Sequence, residues 1–236
     1  MSRRNKLEKF AELLTFPNVY QNYNPKEPCL QYLAGEKVSR KGEWKAVHFG
    51  NHADLVLELA CGGGEYSLDL ARQYPNRNFI GVDIKGNRLW KGARKAMAAN
   101  CNNVAFLRTR IEQIDLFFGS DEISEIWITF PDPYLKKSKA NRRLTSHFFL
   151  NKYAKILRSG ATLHLKTDSA ELYEFTLETL SGEDRFHLLE HTCDLYDGII
   201  LRPELTIKTF YEKMHLEDGR TIKYVRFRFM EKSNVK

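Results

Sequence analysis

Asp132 stands between two prolines in Ile128-Thr129-Phe130-Pro131-Asp132-Pro133, and residues 133–167 directly behind it hold nine Lys/Arg and no Asp or Glu. The formal net charge of the whole chain is +7, so all the other residues together are slightly acidic. Neither proline can donate to a sheet ladder and both stiffen φ, so a strand ends here with the carboxylate held at its tip. A localised basic face binds polyanions, most often nucleic acid, whereas a charge run without companions is usually only a solvated surface. An acid at the mouth of a basic groove suits chemistry on a nucleic acid if the rest of the chain supplies a reactant.

Glu58-Leu59-Ala60-Cys61-Gly62-Gly63-Gly64-Glu65 joins an apolar run to a helical pattern, and glycine there permits positive φ and close approach of a ligand to the backbone. Asp83 follows Gly62 by 21 residues at the end of the next apolar run, where a carboxylate can take both hydroxyls of an adenosine ribose. For NAD the expected pattern is GxGxxG, but the third position is Ser67, and Glu65 sits where it would repel a pyrophosphate. Acids on both sides of the turn suit a cation such as S-adenosylmethionine, which carries an ammonium and a sulfonium. Glu58 either touches that group directly or braces what does.

The elements that must position these residues alternate from residue 55 onward. Strands are expected over 55–60, 78–82, 104–107, 123–130 and 161–165, and helices over 65–74 and 87–100. A further helix carries Phe149, Leu150, Tyr153, Ile156 and Leu157, with Arg158-Ser159-Gly160 as its stop signal. The C-terminal third offers a helix around 170–180 and extended segments near 186–195 and 221–230. Alternating βα units predict an α/β fold, an open and mostly parallel sheet with helices on both faces. Ligands of such sheets sit beyond the carboxyl ends of the strands, where the glycine turn, Asp83, Asp132 and Asp168 all fall.

At 236 residues the chain suits one domain of α/β size. Residues 1–50, punctuated by Pro17, Pro25, Pro28, Gly35, Gly42 and Gly50, read as an irregular arm packed onto a single domain over 51–236. Met1-Ser2-Arg3-Arg4-Asn5-Lys6 leads into a mixed helix rather than a signal-peptide core, and no apolar run approaches a membrane span. Cys29, Cys61, Cys101 and Cys193 lack ligand spacing, which implies neither a zinc site nor a disulfide framework. The seven histidines, among them His147, His164, His187, His191 and His215, likewise show no metal spacing. These features predict a cytoplasmic protein, a monomer or homodimer, without metal or membrane partner. Trp127 belongs to the core.

The loop Thr129-Phe130-Pro131-Asp132-Pro133-Tyr134-Leu135-Lys136-Lys137 with Lys139, Arg142 and Arg143 resembles the signature of the bacterial tRNA (guanine-N7-)-methyltransferase family, PDPW-x-KK-x-x-x-x-RR. Phe49-Gly50-Asn51, Thr167-Asp168 and Thr209-x-Tyr211-Glu212 resemble further family positions in the same order, and the glycine turn with Asp83 resembles motif I and its partner acid in Rossmann-like methyltransferases. The resemblance implies a Rossmann-like domain that binds S-adenosylmethionine through Glu58, Gly62, Gly64 and Asp83. Tyr134 replaces the family's usual Trp and keeps an aromatic plane. Arg110 stands where an Asp or Asn usually lies near the adenine, so residues 109–111 would contact it through their backbone. Asp132 would be the acid at the reaction centre, touching cofactor and substrate. Lys136 and Asp168, with Thr209, Tyr211 and Glu212, would meet the tRNA or its target guanine, position 46 of the variable loop. Lys137, Lys139, Arg142 and Arg143 would hold RNA phosphates, contacts that position RNA without reading its sequence.

Guanine N7 carries an in-plane lone pair, so the nucleophile needs no base, and alignment of an in-line displacement should supply most of the acceleration. Asp132 then has an electrostatic role, accepting from the Watson–Crick edge while positive charge develops on the purine. Four other functions fit the residues less well. A methyltransferase acting on rRNA shares the basic loop, one acting on a small acidic molecule would not need nine positive charges, and a non-catalytic RNA-binding protein would not need the cofactor acids. An NAD-dependent oxidoreductase is opposed by Ser67 and Glu65.

Overall fold

The protein is described here by a computed structural model covering residues 6–22 and 24–231. The first five residues, expected to lead into a helix, lie outside the described residues, and α1 is Lys6–Leu13. The chain forms two compact units, Met1–Gly119 and Ser120–Lys236. The boundary expected near residue 50 therefore does not coincide with this division.

In the first unit three parallel strands, β4 (Leu55–Leu59), β5 (Asn78–Asp83) and β6 (Val104–Arg108), align Leu57 with Ile80 and Gly81 with Phe106. Every residue of β4 and β5 is buried, as the nearly continuous apolar runs require of strands covered on both faces. Helices α2 (Glu65–Gln73) and α3 (Gly86–Ala98) make the crossovers, α2 burying Tyr66, Leu68 and Leu70 and α3 burying Leu89, Trp90 and Ala93. A short α4 spans Ile114–Phe117.

The arm is not irregular. It holds β1 (Val19–Gln21), β2 (Leu30–Tyr32) and β3 (Glu36–Val38), and β1 continues the sheet in parallel register with β6, Val19 opposite Phe106. The order in this unit is β3-β2-β1-β6-β5-β4. Strands of three residues are too short to show a period of two, so the prolines and glycines between them dominate the sequence pattern. Aromatic packing fastens the arm: Tyr20 stacks on Tyr32 with centroids 4.4 Å apart, and Trp44 Nε1 donates to the Phe117 carbonyl at 2.8 Å.

In the second unit the order is β7-β8-β10-β9. Strands β7 (Ile123–Thr129) and β8 (Leu157–Thr167) are parallel, while β10 (Lys223–Phe229) runs antiparallel to both β8 and β9 (Phe186–Thr192). Helix α6 (Ala170–Ser181) packs on β8, β9 and β10, while in the chain α5 (His147–Tyr153) precedes β8 and α7 (Phe210–Glu217) lies between β9 and β10. Arg158-Ser159-Gly160 does not stop a helix. α5 ends at Tyr153, and the three residues form a bulge inside β8, Gly160 at φ +85°, where the register slips between Ile123 opposite Leu157 and Glu125 opposite Thr162. Glycine with positive φ serves a bulge as well as a helix end, which is why the local signal pointed the wrong way. Trp127 is buried as expected, stacked on His164 at 3.9 Å between centroids.

His48 offers a test of the arm's packing. Its Nδ1 lies 3.0 Å from the Tyr20 hydroxyl, and burial, helped by nearby Arg40, lowers its pKa from 6.5 to about 4. Burial also pushes the Tyr20 phenol up to about 12, so a protonated phenol faces a neutral imidazole. The folded pKa is depressed, so below pH 6.5 the unfolded chain takes up a proton that the folded chain refuses until about pH 4. Stability contributed at pH 7 should therefore fall progressively across that window, by about 2 kcal/mol between pH 7 and pH 5 at roughly 1.4 kcal/mol per unit. Urea unfolding at the two pH values should show this loss in the parent protein and a clearly smaller one in His48→Gln.

Candidate active site

Glu58 is the one acid of β4, and the side chain is buried. Its Oε2 accepts from the backbone N–H of Ser67, at 2.8 Å, and from the Ser67 hydroxyl. The carboxylate thus occupies the N-terminal turn of α2, where those N–H groups would otherwise be open to an anion. Gly62 and Gly64 both have positive φ, +56° and +66°, and close a turn in which the Gly64 N–H donates to the Cys61 carbonyl at 2.8 Å. Asp83, buried at the end of β5, fastens this turn with one oxygen: Oδ2 accepts from the Gly62 N–H at 2.9 Å, while Oδ1 accepts from the Lys85 N–H at 2.7 Å. The two acids and burial drive the Cys61 thiol well above its usual range, burial being the larger cause, so it is an inert packing group.

Two of the glycines that lack room for a side chain hold this turn in place. A Cβ on Gly64 would lie 2.3 Å from Phe106 Cε1, and one on Gly92 of α3 would lie 2.5 Å from the Gly63 carbonyl oxygen. The turn is therefore wedged between a strand side chain and a helix backbone. Beside it, Thr109 is fully buried, donates its N–H to the Asp83 carbonyl at 3.2 Å, and has a buried hydroxyl with no hydrogen-bond partner. Arg110, expected near an adenine, is exposed and precedes the 3-10 turn Ile111–Gln113. These features fit an adenosyl group with a cationic tail: Asp83 is an acid at a strand end held by two backbone N–H groups, the Thr109 hydroxyl beside it is unpartnered, and an acid fills the helix terminus that a pyrophosphate would need.

In the second unit β7 ends at Thr129, and the Phe130 N–H donates to the Lys166 carbonyl at 2.8 Å, after which the chain leaves the ladder. Phe130 and Tyr134 both adopt left-handed φ, +50° and +44°, although neither is glycine. Such conformations cost of order 1–3 kcal/mol each and persist only where their surroundings impose them. Between them Asp132 is exposed, and Lys136, Lys137, Lys139 and Arg142 follow it in solvent, the last three on the 3-10 turn Lys137–Arg142. Arg143 does not share that surface. It is 7% exposed, and its guanidinium donates to the carbonyls of Pro133 (3.0 Å) and Tyr134 (3.1 Å from Nη2), so the expected phosphate contact is turned into the protein.

A second cluster gathers Asp168, Thr209, Tyr211 and Glu212, but not as a row of substrate contacts. Asp168 Oδ2 accepts from Arg220 at 2.7 Å, and Oδ1 lies 3.6 Å from His215 Nε2. Thr209 caps α7, its hydroxyl accepting from the Glu212 N–H at 3.1 Å. Glu212 is fully buried: Lys166 Nζ reaches both its oxygens, at 2.7 and 2.8 Å, and the Tyr196 hydroxyl donates to one at 2.7 Å. Lys166, also fully buried, donates further to the Leu205 and Ile207 carbonyls. Burial lowers the Lys166 pKa against the opposing pull of Glu212, and pushes the Tyr196 phenol far up, so the phenol remains a donor. Tyr211 alone of the four is substantially exposed. Thr209-x-x-Glu212 is the sequence pattern of a helix capping box, a signal that would have revealed the start of α7. Lys166 and Tyr196 had no such signal.

Among the described residues no group of His, Cys, Asp and Glu is arranged to hold a metal ion, and no helix is long and apolar enough to cross a membrane. The four cysteines are free thiols.

A family described as "Putative methyltransferase" matches residues 52–225. The crystal structure of the 16S rRNA methyltransferase KamB superposes with a TM-score of 0.58 at 18% identity, covering 80% of this chain and 93% of that one. Fold and glycine turn together define a Rossmann-like methyltransferase. The tRNA (guanine-N(7)-)-methyltransferase of Christiangramia forsetii is 44% identical over 97% of this chain and 99% of its own length. That of Bacteroides thetaiotaomicron is 44% identical over 95% and 86%. The chain belongs to the tRNA (guanine-N(7)-)-methyltransferase family.

The wedged turn yields a graded prediction. Gly64→Ala must accommodate both left-handed φ and the Phe106 ring, at a cost of about 2–4 kcal/mol. Gly62→Ala meets open space and should cost only the conformational part, about 1–2 kcal/mol. Urea midpoints should fall in that order, and equal losses would contradict the packing described.

Proposed function

We propose that this chain transfers a methyl group from S-adenosylmethionine to N7 of guanine in tRNA, at position 46 of the variable loop, and does so in the cytoplasm. The observation that carries the reading is the Glu58 carboxylate seated on the first turn of α2 beside an Asp83-fastened glycine turn, which favours a cationic adenosyl cofactor over a phosphate. The exposed cations behind Asp132 support a polyanionic substrate.

S-adenosylmethionine supplies an electrophilic methyl group on sulfonium. The chain's own residues bind and align. Asp83 takes the ribose hydroxyls, Thr109 and the backbone beside Arg110 line the adenine end, and Gly62 and Gly64 let the backbone approach. Glu58 holds the turn against α2 and adds negative potential. Guanine N7 is already a nucleophile, so Asp132 removes no proton from it. Instead Asp132 accepts from the Watson–Crick edge, fixing the ring and stabilising the positive charge that develops on it. Lys136 and Tyr211 meet the RNA, while Asp168, Thr209 and Glu212 shape the surface from behind.

Asp132→Asn should lower kcat by at least 10²-fold, a size usual for loss of one preorganised electrostatic partner, with cofactor affinity retained. Turnover and calorimetric binding of S-adenosylmethionine measure the two separately, and an Asn variant of full activity would refute the role. For the substrate, transfer of labelled methyl to a tRNA transcript with guanine at position 46 is compared with the same transcript carrying adenine. Label on the guanine transcript alone, released by the strand cleavage to which N7-methylguanine is prone, is the expected result. Label on both transcripts moves the target elsewhere in the RNA, and label on neither rejects tRNA as substrate.

A further inference from the structure

The cation that closes the basic loop faces inward. We infer that Arg143 is a positioning residue for Asp132 and makes no contact with RNA, an inference that rests on the proposed role of Asp132. Its own backbone is held firmly. The Arg143 N–H donates to the Ala140 carbonyl and its carbonyl accepts from Ser146, both at 3.0 Å. On the next two residues, the Leu144 carbonyl accepts from the buried Tyr153 hydroxyl at 3.0 Å, and the Thr145 and Thr176 hydroxyls lie 2.7 Å apart. From this base the guanidinium lies 4.4 Å from the Phe175 ring centroid of α6, a cation–π contact that fixes its plane.

The fork then reaches back along the chain, Nε to the Pro133 carbonyl at 3.0 Å and Nη2 to the Tyr134 carbonyl at 3.1 Å, with Nε also 3.3 Å from the latter. Those carbonyls belong to the two residues that follow Asp132, and Tyr134 is the one held at φ +44°. At the other end of the same turn Phe130, at φ +50°, is tied by its N–H to the Lys166 carbonyl. Asp132 therefore sits on a strained arch with one foot on β8 and the other on Arg143. Neither Lys nor Gln can replace this foot. A Lys ammonium is a point donor without a planar fork, and Gln lacks the charge and the reach. The exposed Lys136, Lys137, Lys139 and Arg142 stand on the outside of the arch, available to phosphates, whereas Arg143 is consumed beneath it.

Arg143→Lys and Arg143→Gln are to be compared with the parent enzyme and with Lys137→Ala, with thermal melts and S-adenosylmethionine binding to confirm folding. Three readouts are needed: kcat with tRNA, the tRNA dissociation constant across a salt series, and the rate of tryptic cleavage after Lys136 and Lys137 in the free protein. Both Arg143 variants should lose 10-fold or more in kcat, keep tRNA affinity within about 2-fold with an unchanged salt slope, and be cut faster in the loop. Lys137→Ala should weaken tRNA binding and lower the salt slope by nearly one. The inference is overturned if Arg143→Gln weakens binding and lowers the slope while Arg143→Lys restores both, since charge alone then matters. It is equally overturned if neither variant changes kcat or cleavage. If the parent enzyme does not methylate tRNA, the function proposed above fails by itself. Faster loop cleavage in both variants would still support the clamp, and unchanged cleavage would reject it.

Discussion

Strands buried on both faces leave only their ends wet. In β4 and β5 every residue is buried, so a polar group within them must be fully satisfied by the protein, and any group meant for a ligand must lie at or past the last rung of the ladder. This constraint distributes the chemistry. Asp83 ends β5, Asp132 lies three residues beyond β7, and Asp168 directly follows β8. Glu58 is the exception that lies within a strand, and it meets the requirement by accepting two hydrogen bonds from Ser67.

The acids divide accordingly between those held inside the protein and one left in solvent. Glu58 and Asp83 accept backbone N–H groups and hold the glycine turn, Glu212 holds Lys166 and Tyr196, and Asp168 holds Arg220. Each of these is therefore held in one orientation by the protein itself. Asp132 is different in being exposed, and its orientation comes from the strained backbone on either side. The buried Lys166–Glu212 pair extends the same logic to the segment before α7. It ties the Leu205 and Ile207 carbonyls to β8, so the residues near Tyr211 inherit the rigidity of a strand. Removing one partner of a buried pair leaves an uncompensated charge, which makes such a tie costly to cut.

By itself the sequence determined the alternating βα frame from residue 55 to the end of β7, the glycine turn with its flanking acids and the carboxylate that heads the basic loop. Those features are written in local terms: continuous apolar runs, glycines needing positive φ, and prolines that end a strand. It was also enough to favour a cation over a phosphate, because Glu58, Glu65 and Ser67 are all contiguous with the turn. Three things were decided only by tertiary structure. The arm's strands are three residues long and acquire meaning only through pairing, β1 with β6, β2 with β1 and β3 with β2. Gly160 signals positive φ equally for a helix end and a bulge, and the pairing of β7 with β8 selects the bulge. Arg143 and Glu212 belong by composition to a charged surface, yet partners nine or more residues away, on Pro133, Tyr134, Lys166 and Tyr196, turn both inward. A sequence shows which side chains are charged; which of those charges water keeps is settled when distant segments compete for the same donors and acceptors.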